Sequence, residues 1–275
     1  MDEIESSSRV YEQDGVAYMT ALVVSRADTE APGNTPVSFV LTPTHLVTVR
    51  FAELTPFRSF AARCTRHPKN AEDSAAAFAG LIEAIVDRTA DVLERADAEL
   101  AAISAQVFRS KAVPAGKEHA RHRTPGDLDD LVERIGRHHD MVSTVRESLL
   151  TLQRVVTFAR QVADAWMAEN ARAKLEIAER DVRSLTEHDV HLTQKVSFLL
   201  DATLGLISNQ QNKIIKIFSV VAVVFMPPTL VASIYGMNFE HMPELDWLVG
   251  YPFALVLMVF SAIAPYLFFK RKGWL

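Results

Sequence analysis

A stripe of small and polar residues runs through the C-terminal part of the sequence at alternating steps of four and three. This spacing matches the 3.5-residue period of helices wound in parallel. A dry seam of that kind would carry Leu, Ile or Val at most positions, whereas this one offers hydroxyl, amide and carboxylate oxygens that can bind water or cations. The stripe consists of Asp201, Gly205, Ser208, Asn212, Ile215, Ser219, Ala222, Met226, Thr229 and Ser233.

The stripe overlaps one of two apolar segments that are long enough to cross a bilayer. Residues 217–234 and 251–269 contain no Asp, Glu, Lys or Arg, and a bilayer core needs about 20 apolar residues of helix. Lysine and arginine flank both segments on their outer sides, whereas the residues between them include Glu240, Glu244 and Asp246 and no Lys or Arg. Because cytoplasmic flanks are enriched in Lys and Arg, we expect both termini in the cytoplasm and the intervening loop outside.

Two interpretations of the stripe remain open from the residues alone. Small residues let two membrane helices pack closely, which would explain Ser219, Ala222 and Ser233. Asn212 and Asp201 favour contact with water, because a buried carboxylate repeated across subunits is strongly unfavourable unless it faces water or a cation. Since two spans cannot enclose a channel, the second interpretation requires a ring of identical subunits.

The rest of the chain predicts a mostly α protein with a short β region. Three strands are expected at Val16–Ser25, Val37–Thr42 and His45–Phe51. Helical periodicity then predicts long helices from about Ser74 to Lys111 and from Asp127 to Glu169. A third, continuous helix is expected from Glu187 to Tyr235. The predicted fold class is therefore an α+β cytoplasmic domain that continues through a long stalk helix into two C-terminal transmembrane helices.

Other kinds of function find little support in the composition. A formal net charge of −5 argues against nucleic acid as a partner. The single cysteine, Cys64, excludes an internal disulfide. The nine histidines form no convincing zinc set, and the chain has no phosphate-binding glycine loop or nucleophile elbow. We therefore expect neither an enzyme nor an organic cofactor. The acidic N-terminus lacks the apolar core of a signal peptide.

The segment after the first apolar span carries a motif. Tyr235-Gly236-Met237-Asn238 is followed by a short acidic loop, by Gly250-Tyr251-Pro252 at the start of the second span, and by a basic tail that ends Lys272-Gly273-Trp274-Leu275. This arrangement resembles the CorA family of magnesium and cobalt channels, in particular its proteobacterial branch. Compared with that family, the extreme N-terminal part of the cytoplasmic domain is expected to be missing.

The resemblance implies a homopentamer in which the first span lines a pore and the Gly-Met-Asn loops surround its periplasmic mouth. Asn238 would form a ring there, Gly236 would permit the turn that ends the helix, and Met237 would pack beneath the loop. Ile215 and Phe218 would form a hydrophobic constriction. The other pore-lining positions would be Asp201, Ser208, Asn212, Ser219, Ala222, Met226, Thr229 and Ser233.

Two groups of carboxylates complete the implied site. Glu240, Glu244 and Asp246 would raise the cation concentration at the mouth. The family also binds regulatory magnesium between carboxylates of adjacent subunits, for which Glu179, Asp181, Glu187 and Asp189 are the candidates. These four could equally form a solvated helix face.

The predicted function is the influx of hydrated Mg²⁺, with Co²⁺ or Ni²⁺ as alternative cargo, across the inner membrane under the control of intracellular Mg²⁺. The partners would be further copies of the chain, the lipid bilayer and divalent cations. A Zn²⁺ transporter of the same superfamily and a non-conducting membrane-anchored scaffold or sensor are the alternatives.

The expected regions are a truncated N-terminal α/β region (1–66), long cytoplasmic helices (67–186), stalk and first span (187–235), periplasmic loop (236–250), and second span with cytoplasmic tail (251–275).

Overall fold

The computed structural model describes residues 9–29, 32–108, 125–238, 242–243, 247 and 249–272. These residues fall into two compact units, one that ends at Thr203 and one that begins at Leu204. A short antiparallel sheet and long helices are followed by a C-terminal apolar helix. The fold class predicted from the sequence is thereby confirmed.

The sheet is a meander of four strands in the order in which they occur in the chain. They are β1 (Val10–Gln13), β2 (Val16–Ser25), β3 (Gly33–Leu41) and β4 (Leu46–Arg50). The last three correspond to the three predicted strands, whereas β1 was not predicted. Asp14 and Gly15 join β1 to β2 with φ angles of 52° and 76°. Two consecutive positive φ values are typical of a type I′ turn, which reverses the chain in two residues.

One face of the sheet forms part of the core of the first unit. Alternate side chains of β2 are buried, from Ala17 through Met19 and Ala21 to Val23, as the period of two along a strand requires. Phe39 of β3 meets Phe78 edge to face, with ring centroids 5.6 Å apart, and both rings are fully buried.

The helices are α1 (Thr55–Arg66), α2 (Ser74–Phe108), α3 (Pro125–Ala163), α4 (Glu169–Tyr235) and α5 (Gly250–Arg271), with a short 3₁₀ turn at Pro68–Ala71 between α1 and α2. The predicted third helix thus begins earlier than expected. The chain turns after α3, where the backbone N–H of Met167 donates to the carbonyl of Ala163 at 2.8 Å. Helix α1 was not predicted from the sequence.

Helix α3 extends the hydrogen bonding of the sheet edge. The N–H of Thr20 donates to the carbonyl of Arg9 at 3.0 Å. Two residues further along β2, the N–H of Leu22 donates to Thr151 Oγ1 at 2.9 Å, and its carbonyl accepts a bond from Ser148 Oγ at 2.8 Å. Side chains of α3 therefore satisfy backbone groups that a neighbouring strand would otherwise bind.

The N-terminal part of α4 is tied to α2 and α3 by charged pairs. Lys195 Nζ lies 2.6 Å from Asp97 Oδ1 of α2. Arg146 and Arg160 of α3 pair with Asp189 and Glu179 of α4. These contacts fix which face of α4 is turned inward within the first unit.

Candidate functional site

All ten positions of the polar stripe lie on α4, which is a single helix of 67 residues. The polar members outside the first unit, Ser208, Asn212, Ser219, Thr229 and Ser233, are exposed in the single chain. Their neighbours Ile215 and Met226 are 60% and 67% exposed. A 3.5-residue repeat drifts by about 20° per heptad on a straight α-helix, so the stripe winds slowly around α4 and remains one continuous surface.

Two hydroxyl groups of the stripe share one hydrogen-bonding arrangement. Ser219 Oγ donates to the carbonyl of Ile215 at 2.8 Å, and Thr229 Oγ1 donates to the carbonyl of Phe225 at 2.7 Å. A hydroxyl has one donor and two acceptor lone pairs. Because the helix backbone takes the donor, the oxygen presents acceptors to whatever faces the stripe.

The surroundings of the stripe are apolar and uncovered within the chain. The most apolar windows of α4 and α5 have mean hydropathies of 2.2 and 2.1, and only 6% of each window is buried. By length and composition, both helices can cross a membrane. Large apolar side chains such as Ile217, Phe225 and Leu230 are at least 60% exposed. An exposed apolar surface of this extent is typical of a site of contact with a membrane or with another protein.

Pro227 and Pro228 lie inside α4, close to the outer end of the stripe. Proline has no backbone N–H, so each removes one bond of the helical ladder. The carbonyls that lose their helical donor belong to Val223 and Val224. Thr229 follows directly and supplies its side-chain hydroxyl to the next carbonyl, that of Phe225.

Gly236 follows the last residue of α4 for a reason different from the predicted one. Among the described glycines only Gly15 has a positive φ, so Gly236 is not a left-handed cap. Its N–H donates to the carbonyl of Ala232 at 2.9 Å, and a Cβ at this position would lie 3.0 Å from that same oxygen. Close approach of the backbone therefore accounts for the glycine.

The remainder of the motif is accessible. Asn238 is exposed, and Met237 is 46% exposed, so within the single chain this methionine is not packed as a core residue. Glu240, Glu244 and Asp246, the expected source of negative charge at the mouth, lie outside the described residues.

The four candidate regulatory carboxylates divide into two kinds. Glu179 accepts a hydrogen bond from Thr157 at 3.1 Å and pairs with Arg160. Asp189 is fully buried, and Arg146 Nε lies 2.8 Å from its Oδ2. Burial raises the pKa of Asp189, which the hydrogen bond and charge of Arg146 oppose. Asp181 and Glu187, by contrast, are exposed.

A row of carboxylates on α2 was missed by the sequence analysis. Glu83, Asp87 and Asp91 follow each other at intervals of four, which places them on one face of the helix. Burial raises the pKa of Asp87, and the negative charges of Glu83, Asp91 and Asp181 act in the same direction. The interval of four between these carboxylates was the signal in the sequence that could have indicated the row. Among the described residues, no group of three or more His, Cys, Asp or Glu side chains is arranged to hold a metal ion.

Comparison with known sequences identifies the family. Residues 2–271 match the family described as CorA-like Mg2+ transporter protein. The chain belongs to the CorA family. It is 38% identical over 278 aligned positions to the magnesium transport protein CorA of Pectobacterium atrosepticum, and 36% identical over 277 positions to that of Escherichia coli K12. Both alignments cover 100% of this chain and 83% of the relative.

Solved structures show the same fold at low sequence identity. The complete CorA magnesium transporter of Methanocaldococcus jannaschii superposes with a TM-score of 0.77 at 17% identity, covering 98% of this chain and 80% of that one. The full-length CmaX protein superposes with a TM-score of 0.68 at 15% identity, covering 99% of this chain and 79% of that one.

Because CorA proteins are transporters, the prediction that this chain is not an enzyme is confirmed.

Proposed function

We propose that this CorA chain assembles as a homopentamer that conducts hydrated Mg²⁺ into the cytoplasm across the inner membrane, with Co²⁺ or Ni²⁺ as alternative cargo. The observation that carries the proposal is the stripe of oxygen-bearing side chains on an otherwise apolar, uncovered helix. The relatives named magnesium transport proteins support the choice of cargo. A pore lined by this stripe needs several copies of α4, because one chain supplies one lining helix.

The hydrogen bonding of the stripe suits a hydrated cation. Mg²⁺ releases its water reluctantly and prefers octahedral oxygen coordination. The water molecules around it point their hydrogens outward, so a pore that leaves them in place must offer acceptors. Ser219 and Thr229 do so because their own hydrogens are bound to the helix backbone. The amide oxygen of Asn212 supplies a third acceptor of the same neutral kind.

Selection is assigned to Asn238 in the proposed pore. A ring of neutral amide oxygens can hold the hydrated ion through its water, while a carboxylate ring would bind more tightly and release more slowly. Glu240, Glu244 and Asp246 would instead attract cations to the mouth, an effect screened over about 8 Å at physiological ionic strength. Attraction and selection are then carried out by different residues.

Closure is assigned to Ile215 of the stripe and to Phe218, which directly precedes the stripe residue Ser219. Ile215 and Phe218 are 60% and 70% exposed in the single chain, and a ring of such side chains can exclude water from a narrow pore. Regulatory Mg²⁺ bound between subunits would hold this constriction shut. Asp181 and Glu187 are exposed and accessible to a neighbouring subunit. Glu179 and Asp189 would join only if their pairs with Arg160 and Arg146 opened.

The orientation follows from the distribution of charge. Lys213 and Lys216 precede the first span, and Lys270, Arg271 and Lys272 follow the second. Cytoplasmic flanks are enriched in such residues. Both termini would then be cytoplasmic, with residues 236–250 forming the periplasmic loop and 251–275 the second span and cytoplasmic tail.

Liposome flux tests the proposal. The full chain is reconstituted around a fluorescent Mg²⁺ indicator, and uptake is compared between the parent chain, Asn238→Ala and Asn209→Ala, an exposed asparagine of α4 outside the stripe. We expect uptake by the parent and by Asn209→Ala, and its loss in Asn238→Ala. Uptake no faster than in protein-free liposomes would instead favour the non-conducting scaffold, and preferential uptake of Zn²⁺ would favour the zinc transporter.

A further inference from the structure

A cavity of about 430 Å³ lies in the first compact unit, and no residue of the polar stripe lines it. It is enclosed by the connection between β2 and β3 and by helices α2 and α3. Each helix contributes four lining residues at relative positions 0, 3, 4 and 7, which form one continuous helix face. The residues of α2 are Val92, Arg95, Ala96 and Glu99. The residues of α3 are Arg134, Arg137, His138 and Met141.

The cavity combines an apolar floor with charged walls, in which Arg95, Arg134 and Arg137 outnumber the carboxylates of Asp28 and Glu99. Val92 and Ala96 are buried, whereas the side chains of Arg95 and Arg137 are 47% and 44% exposed. The guanidinium groups therefore reach the rim of the cavity, where a ligand from solution can meet them.

Part of this positive charge has a structural role. Arg88 and Arg95 of α2 both pair with Asp28, which lies between β2 and β3. These two pairs hold the hairpin against α2, so Arg95 alone would not indicate a ligand. His138 Nε2 lies 3.1 Å from Glu99 Oε2, which bridges the two helices in a similar way.

Among the described residues, neither Arg134 nor Arg137 of α3 forms an ion pair with another element, although a neutral hydrogen bond joins Arg134 to α2. Arg134 donates to Gln106 Oε1 at 2.9 Å, a neutral partner that leaves the guanidinium charge uncompensated at that bond. Arg137 pairs with Glu133, one turn earlier on the same helix, and that carboxylate is 70% exposed. An exposed pair of this type contributes little to stability, about 0.3–0.5 kcal/mol. Both guanidinium groups can therefore turn toward an anion at small energetic expense.

The sequence between α2 and α3 has the same sign of charge. Residues 109–124 contain Arg109, Lys111, Lys117, Arg121 and Arg123 against the single acid Glu118. The chain as a whole has a formal net charge of −5. The positive charge of residues 109–124 does not continue into α3, where Asp127, Asp129, Asp130, Glu133 and Asp140 outnumber Arg134 and Arg137, so the argument for a ligand depends on the residues that line the cavity.

We propose that this cavity binds an anion that carries two or more phosphate groups, held by Arg95, Arg134 and Arg137. The planar guanidinium matches phosphate oxygens in a two-pronged fashion, which makes arginine the preferred side chain for such ligands. The volume falls within the range of small-molecule sites, about 300–1,000 Å³. The polyphosphate group can belong to a soluble nucleotide-like molecule or to an anionic lipid headgroup, and the chemistry of recognition is the same.

Calorimetric titration of the detergent-solubilised full chain with inorganic triphosphate tests the site. The titration contains EDTA throughout, because triphosphate chelates divalent cations, and sulfate at matched ionic strength is the control ligand. Each lost arginine contact should weaken binding by about tenfold or more. We expect this for Arg134→Gln and for Arg137→Gln. Arg183→Gln, which alters an exposed arginine of α4, should bind as the parent does.

A gain of affinity provides the complementary test, since a misfolded variant cannot produce one. Glu99→Gln removes a negative charge from the cavity wall and should tighten triphosphate binding several-fold. The proposal is overturned if triphosphate gives no more heat than sulfate, or if the α3 variants and Glu99→Gln bind as the parent does. Competition by cardiolipin in mixed micelles would assign the site to a lipid headgroup. Its absence, with triphosphate bound, would assign it to a soluble ligand. Neither result depends on ion flux.

Discussion

Asp189 of α4 accepts a 2.8 Å hydrogen bond from Nε of Arg146 of α3 while its carboxylate is completely buried. Its other oxygen, Oδ1, has no hydrogen-bond partner among the described residues, and Nη2 of the same arginine bonds Thr193 at 2.8 Å. Removing one member of a buried ion pair leaves an uncompensated charge, which is more damaging than replacing both. Neutralising Asp189 therefore depends on Arg146, whereas Arg160 and Glu179 form a second contact between α3 and α4.

Arg146→Met should lower the free energy of unfolding by about 3 kcal/mol or more, since it leaves Asp189 buried without a cation. Asp189→Asn, which removes the buried charge, should be less harmful. Denaturant unfolding of the solubilised chain measures both, and Arg183→Met at an exposed position of α4 is the matched control. Equal stability of Arg146→Met and the control would contradict the role assigned to this pair.

The protonation of His138 should make stability depend on pH. Burial lowers the pKa of His138, although the charge of Glu99 opposes the shift. The unfolded chain therefore takes up a proton before the folded chain does, so this contribution to stability is fully present above about pH 6.5 and declines as the pH falls below it. Between pH 5 and 8, the free energy of unfolding should depend less steeply on pH in His138→Gln than in the parent chain. His139→Gln, at the neighbouring exposed position, is the control. Its free energy of unfolding should change with pH as that of the parent does.

Thr229→Val should reduce Mg²⁺ flux by about fivefold or more, because it keeps the shape of the side chain and removes one acceptor worth about 1 kcal/mol. Ser261 of α5 offers a comparison, since its Oγ also bonds a carbonyl of its own helix, that of Met258, at 2.8 Å. Ser261→Ala should conduct as the parent does. Equal losses in the two variants would show that helix stability, rather than lining of the pore, explains the effect.

Ile215→Ser should increase Mg²⁺ leakage into liposomes that already contain Mg²⁺, because a polar ring no longer excludes water from the constriction. Ile217 has nearly the same exposure, 62% against 60%, but lies outside the stripe. Ile217→Ser is therefore the control and should remain closed. If both variants leak alike, the constriction is not formed by the stripe.

The sequence was informative wherever a regular pattern extended over many residues. The stripe could be predicted from its period and the two apolar spans from their length. Strands β2 to β4 could be predicted from runs of β-branched and aromatic residues. Strand β1 was missed although Asp14-Gly15 is a strong hairpin signal, because its four residues are short and mostly exposed. Helix α1 begins without a side-chain N-cap at Leu54, so the usual start signal was absent.

The pairing of charged residues could not be predicted in the same way. Arg146 and Asp189 are far apart in sequence, as are Asp97 and Lys195, and no local pattern indicates such contacts. For this reason Asp189 and Glu179 were grouped with Asp181 and Glu187, although the first two have cationic partners within the chain. Gly236 illustrates a related difficulty, because a glycine selected for close backbone approach looks identical in sequence to one selected for its φ angle.

The proline pair of α4 limits which surroundings suit this part of the helix. Two consecutive carbonyl oxygens, those of Val223 and Val224, lose their intrahelical donors in the middle of an apolar span, and an unsatisfied polar group in hydrocarbon costs several kcal/mol. Acyl chains alone are therefore a poor environment for these two oxygens, and a water molecule, a hydroxyl group or another donor beside them would remove the deficit.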